Sequence, residues 1–105
     1  MGTTAQAATI TLDLATVSGT WQTIDLTTAT NITLATSNRA AGRYVKLWIL
    51  NNSGGSRTIN YGVTKVSSPN MTPPTTLANG EDAFIDIFCI GTTTADIIAT
   101  GSKYA

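Results

Sequence analysis

Apolar residues alternate with polar ones in several short segments of the chain. The alternating apolar positions are Ile10, Leu12, Leu14, Ile24, Leu26, Ile32 and Leu34. This period of two is typical of a strand with one face in a core and the other in water. No segment repeats apolar residues at helical spacing over the length of a helix, so we expect an all-β protein.

Two longer segments, residues 43–51 and 81–90, are apolar on both faces. A strand of this kind must be covered twice, once by its own core and once by something else. The second cover is either another subunit or loops of the same chain folded over a central strand of a sandwich. If it is another subunit, the candidate interface residues are Tyr44, Trp48, Leu50, Phe84 and Phe88.

Turn residues divide these segments. The stretch Asn-Asn-Ser-Gly-Gly-Ser at residues 51–56 tolerates the positive φ of tight turns and predicts an antiparallel hairpin between residues 43–50 and 57–61. Pro69, Pro73 and Pro74 predict one long loop, because proline is excluded from central strands. A last strand is expected near residues 95–100.

Composition supports the β assignment, since threonine fills 21 of 105 positions whereas glutamate occurs once. We expect one domain over residues 9–105, an antiparallel β-sandwich or a jelly-roll-like fold, which share this patterning. Residues 1–8 are small and polar and predict a flexible N-terminal arm. The candidate docking residues of this arm are Gly2, Thr3, Thr4, Ala5, Gln6, Ala7 and Ala8.

The balance of charge argues against two classes of partner. Six basic residues offset six acidic ones, and no basic stripe suited to nucleic acid or anionic lipid is present. No apolar run approaches the roughly 20 residues that span a bilayer. Residues 1–9 lack the features of a signal peptide, so we expect synthesis in a cytoplasm.

Candidate chemistry is sparse. The chain has no histidine, which removes the usual general base and the commonest metal ligand. Cys89 lies between apolar residues and is interpreted as a buried thiol. The adjacent Glu81 and Asp82 give a weak calcium candidate, because calcium needs six to eight oxygen ligands. We expect no enzyme activity, no catalytic residue, no metal and no cofactor.

Three stretches carry a resemblance to a known family. They are Asn31-Ile32-Thr33-Leu34, the Asn-Arg-Ala-Ala-Gly sequence of residues 38–42 with the apolar strand of residues 44–50, and the Gly-Gly-Ser-Arg-Thr sequence of residues 54–58. Followed by a proline-bearing loop and the apolar strand of residues 83–90, their order resembles a β-domain common in tailed-phage virion proteins. The resemblance covers about two-thirds of the chain.

The resemblance implies a structural virion protein, since such domains look like trimeric building blocks of tail fibres, head fibres and capsid decoration proteins. Because Met1 opens a chain of 105 residues, the expectation is a free-standing decoration (cement) protein. It would bind the major capsid protein on the outer capsid surface as a homotrimer, after synthesis in the host cytoplasm. The alternative is a tail or head fibre module that binds host-surface glycan through Trp21, Trp48, Tyr61 or the proline loop.

Overall fold

The computed structural model of the chain describes residues 2–3, 6–62, 65–66 and 73–104. Within them the strands are β1 (Gly2–Thr3), β2 (Thr9–Asp13), β3 (Thr20–Leu26), β4 (Ile32–Ser37), β5 (Tyr44–Asn51), β6 (Arg57–Asn60), β7 (Lys65–Val66), β8 (Thr76–Leu77), β9 (Asp82–Cys89) and β10 (Ile97–Tyr104). One helical turn, α1 (Leu14–Val17), and a 3-10 turn (Thr94–Asp96) join them. The prediction of a β protein is confirmed.

The strands form two mixed sheets. One is six-stranded in the order β1-β3-β5-β9-β10-β7, and the other is four-stranded in the order β2-β4-β6-β8. From β1 to β8 the chain places successive strands in alternate sheets. Up to β6 each strand that follows an excursion to the other sheet returns in the same direction, so β1, β3 and β5 run parallel, as do β2, β4 and β6. The expected antiparallel pairing is found between β5 and β9, β9 and β10, and β6 and β8.

The predicted hairpin between residues 43–50 and 57–61 is wrong. β5 and β6 lie in different sheets and do not pair with each other. The turn residues between them reverse the chain as expected, with Gly54 at φ 87°. The reversal carries the chain from one sheet to the other, however, because β3 and β9 already occupy both edges of β5.

One buried cluster contains side chains from both sheets. The alternating positions of the sequence supply it, among them Ile10, Ile24, Ile32 and Leu47. Leu14 is buried as well, although it lies in α1 rather than in the predicted strand. β2 ends at Asp13 because its carboxylate caps the helical turn, accepting a hydrogen bond of 3.0 Å from the N–H of Ala15.

The predicted boundaries differ from the structure at both ends of the chain. The last strand, expected near residues 95–100, begins at Ile97 and continues to Tyr104. In the predicted arm, Gly2 and Thr3 pair in parallel with Gln22 and Thr23 of β3. This described part of the arm is therefore attached to the domain. Residues 67–72 of the predicted long loop lie outside the described residues.

Candidate interaction surface

The outer face of the six-stranded sheet carries the largest group of exposed apolar side chains among the described residues. We call the side chains Trp21, Tyr44, Trp48, Phe84, Phe88 and Tyr104 the aromatic face. They point outward because they alternate along their strands with buried residues such as Val45, Leu47 and Ile85. Strands β3, β5, β9 and β10 contribute to it, and these are adjacent in the sheet.

Phe84 is the centre of the aromatic face. Its ring stacks on Trp48, with centroids 5.9 Å apart and planes inclined by 5°. Trp21 and Tyr104 approach the same ring edge-on, with centroids at 5.9 Å and 5.4 Å. Both arrangements are favourable for aromatic pairs, so the four rings hold one another in place.

Asp82 fixes the orientation of the Trp48 ring. The indole Nε1–H donates a hydrogen bond of 3.1 Å to Oδ2 of Asp82. Trp48 is therefore half-buried with its polar atom satisfied, and its apolar ring is available on the face.

A charged row interrupts the aromatic face. Lys46 lies opposite Asp86 in the β5–β9 register, between the pairs Trp48–Phe84 and Tyr44–Phe88. Among the described residues the ion pair is instead that of Lys103 with Glu81, at 3.8 Å. Any protein that covers this face must therefore also accommodate the charges of Lys46 and Asp86.

The structure brings together all five residues predicted as a subunit interface. Tyr44, Phe84 and Phe88 are exposed on the outer face, while Trp48 and Leu50 are half-buried on it. That another subunit covers them stays a prediction. Sequence reasoning missed Tyr104 and assigned Trp21 only to glycan binding. The alternation of Trp21 with the buried Gln22 and Ile24 could have placed it on this face.

Tyr61 does not belong to the surface, which corrects its assignment as a sugar-stacking residue. Its side chain is only 6% exposed, and its hydroxyl donates a hydrogen bond of 2.6 Å to the carbonyl oxygen of Pro74. This burial raises the pKa of the Tyr61 phenol well above its usual value. Of the aromatic candidates for glycan stacking, Trp21 and Trp48 are the ones that lie on the aromatic face.

The remaining polar candidates are used within the fold. Glu81 accepts a hydrogen bond of 2.6 Å from the N–H of Ala78, and Asp82 binds Trp48. The Cys89 thiol is buried, as predicted, and donates to the carbonyl oxygen of Gly91. In the described part of the chain, no three His, Cys, Asp or Glu side chains come together as metal ligands.

No helix among the described residues is long and apolar enough to cross a membrane. Comparison of the chain with models of known protein families, with curated proteins and with solved structures found no match.

Proposed function

We propose that this protein is a structural component of a phage virion, a capsid decoration protein that binds the major capsid protein on the outer shell as a homotrimer. The aromatic face carries this proposal. The proposal includes a sandwich fold, in which the two sheets pack on each other and the aromatic face is turned outward.

A subunit contact suits the aromatic face for two reasons. Side chains such as Phe84, 37% exposed, and Trp21, 41% exposed, lie next to one another rather than singly, and contiguous exposed apolar groups mark interaction sites. Aromatic residues are also the ones that dominate the binding energy of protein interfaces. The capsid shell gains stability by mass action when a protein binds to it. The aromatic face can serve this role by contacting the shell directly or by joining the subunits of the trimer that binds the shell.

The trimer is tested by replacing the central ring. We expect the wild-type protein to have a trimeric mass by light scattering, and Phe84→Glu to shift that mass to the monomer. Thr58→Glu, at an exposed position of β6, is the matched control and should leave the mass unchanged. A wild-type protein that stays monomeric at micromolar concentration would refute the trimer.

The place in the virion is tested by electron microscopy of particles. A decoration protein occupies many regular positions on the capsid lattice, whereas a fibre module occurs at a tail or fibre tip. Density for this chain at a tip alone would contradict the proposed capsid role.

A glycan-binding module is the second candidate function, because Trp21, Trp48, Phe84 and Tyr104 form a cluster of rings on one side of a sheet. Sugar rings stack on exposed aromatic side chains of this kind. Binding of the protein to a glycan array, lost in Trp21→Ala and retained in Tyr61→Phe, would favour this candidate.

A further inference from the structure

The four-stranded sheet ends in an open edge at β2. Residues Thr9–Asp13 pair on one side with β4, and no strand of the described part lies on the other side. β2 is the first strand of its sheet in the described sequence, so no earlier strand pairs with it in the way that β2 pairs with β4. The exposed Thr9 and Thr11 side chains lie on the outer face of this sheet, opposite the buried Ile10 and Leu12.

The register identifies the peptide groups that face outward. The carbonyl oxygen of Ala8 accepts a hydrogen bond of 2.8 Å from the N–H of Thr33, which belongs to the β2–β4 ladder. In a parallel pair, alternate residues direct both of their peptide groups at the neighbouring strand. Ile10 and Leu12 therefore bond β4, whereas the N–H and C=O groups of Thr9 and Thr11 point away from it.

This edge lacks the features that keep exposed edges from pairing. Its sequence is Thr-Ile-Thr-Leu-Asp, with no lysine, no proline and no glycine. Lysine, proline and bulges are the usual means by which a protein prevents a strand from adding to its sheet. The helical turn α1, which follows β2, contacts β3, β4 and β5, so it turns toward the other strands rather than across the edge.

The edge is complementary to itself. We propose that two copies of the chain pair through antiparallel β2 strands about a twofold axis at Thr11, which joins their four-stranded sheets into one sheet of eight strands. The two Thr11 residues then exchange both peptide hydrogen bonds, with Cα atoms about 5.5 Å apart. Thr9 of each copy lies opposite Asp13 of the other, and Ile10 lies opposite Leu12 on the core side.

A second copy fits this edge better than an unrelated segment, because the twofold pairing satisfies the same groups on both partners at once. Apolar residues also meet apolar residues, and hydroxyls meet a hydroxyl or a carboxylate. The contact uses the four-stranded sheet, whereas the proposed subunit contact uses the outer face of the six-stranded sheet. The two are therefore independent, and one chain can make both.

Site-directed cross-linking tests the pairing. Thr11→Cys and Thr58→Cys each place one thiol at an exposed threonine of the same sheet, and both are made with Cys89→Ala. With a short bis-maleimide reagent over a series of protein concentrations, we expect Thr11→Cys to give several-fold more covalent dimer than Thr58→Cys. The same excess in a Phe84→Glu background would separate this contact from the aromatic face.

A charge at the twofold axis provides the second test. In Thr11→Lys, two like charges lie opposite each other at the twofold axis. Sedimentation should therefore show weaker association than for the wild type. Thr58→Lys should associate as the wild type does. Equal cross-linking of the two cysteine variants, or unchanged association of Thr11→Lys, would overturn the proposal.

Discussion

Tyr61 buries its ring in the core while its hydroxyl donates to the carbonyl oxygen of Pro74, at 2.6 Å. The ring follows Ile59 by two residues and so continues the buried side of β6 beyond the end of the strand. Burial favours the neutral phenol, because an unpaired phenolate in an apolar environment is strongly destabilised. The free energy of unfolding therefore depends on pH in the alkaline range through Tyr61.

We expect the stability of the protein to fall as the pH rises above about 10, the usual pKa of tyrosine. Above that value the unfolded chain loses the Tyr61 proton while the folded chain retains it, so ionisation favours unfolding. Urea denaturation across the alkaline range should show this loss in the wild type and a smaller one in Tyr61→Phe. At neutral pH the variant should lose about 1 kcal/mol with the hydrogen bond.

Tyr44→Phe is the control, because Tyr44 is exposed on the aromatic face. Its stability at neutral pH should stay within about 0.5 kcal/mol of the wild type, and its alkaline loss should match that of the wild type. An identical alkaline loss in Tyr61→Phe and the wild type would contradict the assignment to Tyr61.

At the scale of the element, alternation predicted where strands lie but not how they pair. Ile24, Leu26 and Ile32 are alternating positions of the sequence, and all three are buried. Their partners depend on which strands return to the same sheet, and that is decided by packing between segments far apart in sequence. The Gly-rich turn after β5 is compatible with a hairpin or with a crossover, so local residues alone favoured the wrong connection.

Asn51 stabilises this crossover. Its side chain is fully buried, and its Nδ2 donates to the carbonyl oxygens of Gly55 and Leu77, each at 2.8 Å. Its Oδ1 accepts from the N–H and the hydroxyl of Ser53. Because Leu77 lies in β8 of the other sheet, one amide links the end of β5 to both the turn and the second sheet.

Replacing Asn51 with alanine should destabilise the protein by about 2 to 3 kcal/mol, because buried carbonyl groups lose their donors. The loss would be measured as a lower free energy of unfolding in urea. Asn52→Ala removes a neighbouring amide that is exposed and binds Asp25, so it should change the stability by about 0.5 kcal/mol or less. Equal losses in the two variants would show that the buried amide does not stabilise the crossover.

At the scale of the whole molecule, the aromatic face was only partly predictable. The pattern within β5 and β9 identified Tyr44, Trp48 and Phe84, because each segment is apolar on both sides. Trp21 and Tyr104 reach the same face from strands at opposite ends of the chain, and only the sheet order β3-β5-β9-β10 brings them together. The charged row of Lys46 and Asp86 likewise becomes visible only from the register between strands.

The N-terminal segment is held to the molecule at two points. Gly2 and Thr3 form the β1 edge strand beside β3. Oε1 of Gln6 accepts hydrogen bonds from the N–H groups of Thr27 and Thr28, at 2.8 Å and 3.2 Å. A two-residue strand adds few hydrogen bonds, so the segment can be removed or loosened without loss of the core.

Deleting residues 2–5 should therefore leave the fold and the oligomeric mass unchanged, because the core and the Gln6 contacts remain. If the arm docks on the capsid as an added strand, the truncated protein should bind empty particles about tenfold more weakly, a loss of about 1.4 kcal/mol. Thr58→Ala, at an exposed position outside the arm, should bind as the wild type does. Co-sedimentation with particles measures both variants, and unchanged affinity of the truncated protein would show that the arm serves only its own sheet.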